Sequence, residues 1–206
     1  MPNLEIEISI GAPSTRVCGV DEVGRGPLAG PVVAAAVWLD PGRMPDGLAE
    51  RIDDSKALTK RRREAIHALV TAPDCEWAHC ALGEASVAEI DTLNVLQAAL
   101  LAMRRAVNAL PQPAQHALID GNRCPELTIP ATPVVRGDGL SLSIACASIV
   151  AKVHRDRILS VLADSHPGYG WERNAGYGTA EHLAALRSQG VTPHHRRSFA
   201  PVAACC

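Results

Sequence analysis

Aromatic residues are scarce in this chain, which has three Trp, two Tyr and one Phe among 206 residues. A core built almost without them rests on aliphatic and small side chains, so an aromatic placed elsewhere stands out. Lysine occurs only at positions 56, 60 and 152, against seventeen arginines. Net charge is also nearly absent: a formal −2 at pH 7 excludes a protein that coats nucleic acid by bulk electrostatics. The seven cysteines (18, 75, 80, 124, 146, 205, 206) show no Cys-x-x-Cys spacing, which argues against zinc and for free thiols. No polybasic run precedes Cys205-Cys206, so that pair reads as a frayed tail rather than a lipid anchor. No apolar run spans a membrane without Gly, Pro or charge, and the first residues lack the basic flank and apolar core of a signal peptide. A cytoplasmic protein with no membrane partner is expected. No G-x-x-x-x-G-K-[ST] occurs, so a nucleotide-binding switch is poorly supported.

What is present is ordinary for a soluble globule, with 47% hydrophobic and 20% charged residues. A single domain over 1–206 is expected, its last part, about 166–206, forming a C-terminal helical appendage. Val17–Val20, Val32–Leu39 and Trp77–Leu82 read as strands, followed by short strands at Ala117–Ile119 and Thr132–Val135. Helices are expected from Thr59 to about Val70, from Val95 to Leu110 before Pro111, from Ser141 to about Ala163, and from Thr179 to Gln189 with Gly190 as stop. Ser86 and Glu89 have capping-box spacing. Strands first, then helices alternating with strands, give a mixed α/β sheet. Arg61, Arg62 and Arg63 fall in the first turns of their helix, an unfavourable place for cations unless they face acids or phosphates. After Ala151 there are seven Lys/Arg against four acids, plus five histidines, which makes the C-terminal third the candidate phosphate-facing surface.

The most informative stretch is Gly19-Val-Asp-Glu-Val-Gly-Arg-Gly-Pro-Leu-Ala-Gly-Pro31. Asp21 and Glu22 stand between an apolar strand and a turn in which Gly24 and Gly26 allow close backbone approach, Arg25 supplies a cation, and Pro27 and Pro31 stiffen the exit. Neighbours on a regular strand point to opposite faces, so the two carboxylates serve one site only if the strand bends or one acts through its carbonyl. Two further strands each arrive at an aspartate beside glycine, Asp120-Gly121 and Gly137-Asp138. Four carboxylates at strand ends are hard oxygen ligands suited to Mg²⁺ or Mn²⁺ and to two-metal phosphodiester hydrolysis. Singly, Asp138 in Arg-Gly-Asp-Gly is most simply a turn residue. Tyr177 follows Gly176 and can stack on a sugar or base, the alternative being a half-buried aromatic. Tyr169 and Trp171 read as packing residues and His182 as structural. His194-His195-Arg196-Arg197 is either a phosphate contact or a solvated polar terminus.

The glycine-turn stretch resembles the signature of type 2 ribonucleases H, the ribonuclease HII family. The likeness continues through Asp54-Ser55-Lys56, Glu89-Ile-Asp91-Thr-Leu-Asn94, Leu118-Ile-Asp120-Gly-Asn-Arg123, Ser143 to Lys152, Arg155-Asp156, Gly176-Tyr177-Gly-Thr179 and His195-Arg-Arg-Ser-Phe199. It implies an RNase H-like fold, a mixed five-stranded sheet flanked by helices with a C-terminal helical extension. It also implies two-metal hydrolysis of the RNA strand of RNA–DNA hybrids and incision 5′ to a ribonucleotide embedded in duplex DNA, leaving a 3′-hydroxyl and a 5′-phosphate. By this resemblance Asp21, Glu22, Asp120 and Asp138 are the metal-binding carboxylates, Gly24-Arg25-Gly26 senses the 2′-hydroxyl, Tyr177 reads the junction, and Lys56 is a substrate contact. Type 3 enzymes differ in the glycine turn and carry a sizeable N-terminal domain, whereas about twenty residues precede Asp21 here. The competing readings are another two-metal nuclease of the same fold and a non-catalytic hybrid-binding module; Arg25 and Tyr177 argue against the first, the four carboxylates against the second. A monomer is the default, and sliding-clamp binding is left open.

Overall fold

The computed structural model of the chain describes residues 1–52, 55 and 58–206. Asp53, Asp54, Lys56 and Ala57 lie outside the described residues, and with them the expected substrate contact at Lys56.

Two neighbouring strands, β1 (Val17–Val23) and β2 (Val32–Leu39), form the antiparallel centre of the sheet. Alternate residues of β2 pack into two different cores: Val33, Ala35, Val37 and Leu39 on one face, Val32, Ala34 and Ala36 on the other. A strand buried on both faces must be apolar throughout, which is why this run does not alternate with polar residues. The edge strand β3 (Ala78–Ala85) pairs with β2 along its full length, from Leu39↔Ala78 to Val32↔Ala85. It therefore reaches three residues past the expected end at Leu82. On the other side, β4 (His116–Asp120) runs parallel to β1 and β5 (Ala131–Val134) parallel to β4, giving the order β3-β2-β1-β4-β5.

One face is covered by α3 (Val87–Leu93) and α4 (Val95–Asn108). Ser86 and Glu89 form the expected capping box at the start of α3. On α4, Ala98, Ala99, Ala102, Met103, Ala106 and Val107 form one stripe at helical spacing, whose small residues let the helix lie close to the sheet. Burying Met103 and Val107 contributes about 1.5–3 kcal/mol each. The opposite face carries α5 (Leu142–Ser165), enclosed between the sheet and α2 (Lys60–Val70) and buried at every position from Leu142 to Ala151. Thr59 caps α2 as expected, and the cation in its first turn that looks inward, Arg63, donates to the carbonyls of Ser55 and Leu58 and, among the described residues, to no acid.

Three short helices escape the sequence periodicity: α1 (Glu5–Ile10), α6 (Trp171–Asn174) and, beyond α7 (Ala180–Gln189), α8 (Ala200–Ala203). Within α1, Glu7 is buried, and one of its oxygens accepts from Ser141 Oγ, Ser143 N and Ser143 Oγ. The first residues thus clip onto the start of α5. Among the described residues no helix is long and apolar enough to cross a membrane.

Candidate active site

The carboxyl ends of the parallel strands β1, β4 and β5 lie at one edge of the sheet, where open α/β folds bind ligands. β1 brings Asp21 and Glu22 to this edge without a bend. The pairing with β2 runs unbroken through Asp21↔Ala35 and Glu22↔Ala34 to Val23↔Val33, so a strand bend, one of the two ways for these neighbours to serve one site, does not occur. Alternation is kept. Asp21, 6% exposed, turns to the α5 side and accepts from Ser148, whose hydroxyl also bonds Ser55 at 2.8 Å. Glu22 turns to the α4 side and pairs with Arg25 at 3.2 Å. Asp120 ends β4 beside them, where Gly121 leads the chain away, and its charge raises the pKa of both Asp21 and Glu22.

The electrostatics of this edge are strained in one direction. Burial pushes the Asp21 carboxyl well above the usual carboxylate range, and the neighbouring Glu22 and Asp120 push it further. Burial likewise raises Glu22, against the lowering effect of Arg25. Each carboxylate is held by its own protein partner: Asp21 by Ser148 and the Glu22 amide, Glu22 by Arg25, and Asp120 by the Gly137 amide at 2.7 Å. Accordingly, among the described residues no three His, Cys, Asp or Glu side chains are gathered as a ready-made metal cage. The donor set nevertheless fits a hard divalent cation, since all its donors are oxygens and a nearby positive charge would offset both the burial and the repulsion. Asp138 lies in the 3₁₀ turn Gly137–Gly139 that follows β5, one residue beyond the amide bonded to Asp120. A cavity of about 160 Å³ opens beside these groups, with Glu22, Arg25, Asp120 and Arg123 at its rim and Leu96 and Met103 on α4 below.

The glycine turn after β1 is held from beneath by a buried cation that the sequence placed on a phosphate-facing surface. Arg155 on α5 is fully buried and donates to the carbonyls of Pro31 (3.0 Å), Ala175 (2.9 Å) and Ala29 (2.9 Å). Burial lowers its pKa to about 10, which leaves it cationic at neutral pH. His195 and Arg196 are buried as well, so the His194–Arg197 run is neither a solvated terminus nor, at those two residues, a phosphate contact. Charge counting could not distinguish these cations from surface ones, because what buries them is a set of backbone carbonyls distant in sequence.

Across the turn stands Tyr177, 49% exposed, its ring close enough to Gly26 that a β-carbon there would sit 3.3 Å from Cε1. Its backbone is fixed by His182, whose Nδ1 lies 2.9 Å from the Tyr177 carbonyl and must donate to it. The His182 Nε2 then accepts, from Trp171 Nε1 at 3.1 Å and from His195 Nε2 at 3.0 Å. His182 is thereby neutral, and so is His195, whose Nδ1 accepts from the Thr192 amide at 3.0 Å; burial and the surrounding histidines push His195 down to about 4. Tyr169 and Trp171 are buried beneath, the packing residues that the sequence indicated.

A sheet of this order, carrying carboxylates where its parallel strands end, defines an RNase H-like fold. The crystal structure of the ribonuclease H2 from Pyrococcus horikoshii OT3 superposes with a TM-score of 0.74, at 24% identity, over 93% of this chain and 97% of its own. A sequence profile of the family described as Ribonuclease HII matches residues 18–202. Proteins named Ribonuclease HII from Paramagnetospirillum magneticum and Rhodospirillum rubrum are 63% and 62% identical over 203 residues, covering 98% of this chain in each case and 98% and 90% of the relatives. The chain belongs to the ribonuclease HII family and is a metal-dependent endoribonuclease.

Proposed function

We propose that this enzyme hydrolyses the RNA strand of RNA–DNA hybrids and incises 5′ to ribonucleotides embedded in duplex DNA, with Asp21, Glu22, Asp120 and Asp138 as the ligands of Mg²⁺ or Mn²⁺. Divalent ions held there supply Lewis acidity, easing deprotonation of water and stabilising the leaving oxygen of a phosphodiester. The chain's own groups position the substrate. Arg25, half exposed beside Glu22, offers a cation to a phosphate at the rim. The turn Gly24-Arg25-Gly26 presents backbone close to the 2′-hydroxyl, which is the group that distinguishes RNA from DNA. Tyr177 supplies a flat ring for the sugar or base at the RNA–DNA junction. The C-terminal segment from about 166 to 206 acts as the substrate-contacting extension of one catalytic domain, in a monomer.

The observation that carries this reading is the exposed Tyr177 ring against Gly26, on the turn that leaves the acidic strand end. An acidic edge alone would serve any metal nuclease; an exposed aromatic across a glycine turn beside it suits a substrate read one nucleotide at a time. The test is cleavage of a labelled DNA duplex holding one ribonucleotide, with all-DNA and all-hybrid controls, in Mg²⁺, Mn²⁺ and EDTA. Cutting at the ribonucleotide and in the hybrid, lost in EDTA, is expected. Cutting of the all-DNA duplex, or none at the single ribonucleotide, would overturn it.

A further inference from the structure

The C-terminal segment runs back beneath the glycine turn. Gly30 N donates to His194 O at 2.9 Å, Arg196 N to Leu28 O at 2.9 Å, and Ala29 bridges to His195. From this segment the Arg196 side chain enters the turn, wholly buried, and donates to the carbonyls of Gly24 at 2.5 Å, Arg25 at 3.0 Å and Gly30 at 3.0 and 2.8 Å. A trans peptide unit is planar, with its C=O and N–H pointing opposite ways. Drawing the Gly24 and Arg25 carbonyls inward to one guanidinium therefore turns the N–H groups of Arg25 and Gly26 outward. Both residues are exposed, and among the described residues no hydrogen bond uses either amide. Two outward donors result beside the Tyr177 ring.

We propose that Arg196 is a positioning residue for ribonucleotide recognition: its buried guanidinium fixes two peptide units so that the amides of Arg25 and Gly26 face the 2′-hydroxyl. This rests on the hybrid-cutting reading above. Lysine cannot replace the planar fork, because one ammonium on a flexible stem does not reach three carbonyls in fixed directions. The neighbouring His195 holds His182, and His182 holds the Tyr177 carbonyl, so one two-residue segment sets both sides of the recognition cleft. The segment is itself anchored on α3, where Asp91 accepts from Arg197 N, Ser198 N and Ser198 Oγ. Burial opposes ionisation of Asp91, but these hydrogen bonds prevail and hold its carboxyl below the usual range.

The test uses the full chain as parent, Arg196→Lys, Arg196→Ala and Asp91→Asn, assayed by single-turnover cleavage of a duplex with one ribonucleotide across a Mg²⁺ titration. For Arg196→Lys a fall of roughly tenfold or more is expected, as for loss of an oriented charge-assisted hydrogen bond. The Mg²⁺ midpoint should stay within about twofold, since the carboxylates are untouched. Asp91→Asn should lose less, because the guanidinium remains. Should Arg196→Lys not fold, Arg196→Ala is read with and without millimolar guanidinium, which is expected to restore part of the cleavage. Parental cleavage by Arg196→Lys, a Mg²⁺ midpoint shifted in step with the rate, or no rescue of a folded Arg196→Ala overturns the assignment. Failure of the parent to cut at the ribonucleotide would instead refute the hybrid-cutting reading.

Discussion

Gly24 and Gly26 flank Arg25 in the same turn, yet replacing them with alanine should damage the protein in different ways. Gly24 has φ +97°, a region that costs a residue with a β-carbon about 1–2 kcal/mol. A β-carbon there would also lie 2.2 Å from Arg155 Nε and 2.9 Å from the Pro31 carbonyl, the donor and acceptor of one part-buried hydrogen bond. Overfilling such a site adds about 1–3 kcal/mol. Gly24→Ala should therefore lose about 2–5 kcal/mol of a total of about 5–15. For a chain of this length that is a fall in Tm of roughly 5–15 °C. Among the described residues a β-carbon at Gly26 would meet only the exposed Tyr177 ring, at 3.3 Å, and the ring can swing toward solvent. Gly26→Ala should keep its Tm within about 2 °C of the parent. The added methyl instead separates the turn from Tyr177, and cleavage at a single embedded ribonucleotide should fall by roughly tenfold or more, because small misplacements of substrate are costly. Thermal unfolding and single-turnover cleavage of the two purified variants decide the matter. Equal thermal losses, or a Gly24→Ala protein as stable as its parent, would refute this account of the turn.

Asp21→Asn, Glu22→Gln and Asp120→Asn should each abolish most turnover while unfolding in EDTA at or above the parental Tm, since each removes one member of a mutually repelling set; Asp138→Asn should lose less activity. Because the Asp21 and Glu22 pKa values are raised by folding, their contribution to stability is present below the unfolded carboxylate range and lost as pH rises through the raised values. In EDTA the stability gap between Asp21→Asn and parent should therefore widen toward neutral pH, and Mg²⁺ at about 100 times its Kd should raise the parental Tm by roughly 5–10 °C; a gap that does not change with pH contradicts this. His195 titrates in the other sense. Its folded value near 4 lies below an unfolded value of about 6.5, so stability present above about 6.5 is lost as pH falls toward 4, and His195→Gln should flatten that limb of a Tm-against-pH curve. Tyr177→Ala should cost about 1–3 kcal/mol of substrate stabilisation and Tyr177→Phe much less, as compared by kcat/KM on one embedded ribonucleotide; equal losses would transfer the role to the hydroxyl.

What could be read from the sequence follows from how local each signal is. The buried strand β2 and the capped starts of α2, α3 and α7 depend on neighbours within a few residues, and the expected elements agree with the structure to within a few positions. The acidic end of β4 was legible because Asp120 stands beside a glycine where the strand stops, whereas Asp138 lies four residues past the end of β5, in the 3₁₀ turn, as its Arg-Gly-Asp-Gly setting taken singly suggests. The strand geometry around Asp21 and Glu22 was not legible. Local reasoning asked for a bend, or for one residue to act through its carbonyl, whereas β1 stays regular and β4 ends beside it at Asp120, whose charge acts on both Asp21 and Glu22. The buried arginines were least legible of all. Arg155 and Arg196 contribute to the positive excess of the C-terminal third, the ordinary mark of a phosphate-facing surface, and both are wholly buried against backbone carbonyls. A carbonyl is contributed by every residue, so no pattern of side chains announces it as a partner. A cation can therefore be given to the scaffold under a recognition loop while looking, in sequence, like a contact to substrate. The charge left to face a phosphate at the rim is smaller than the sequence count implies, and Arg25, which stays exposed beside Glu22, accounts for part of it.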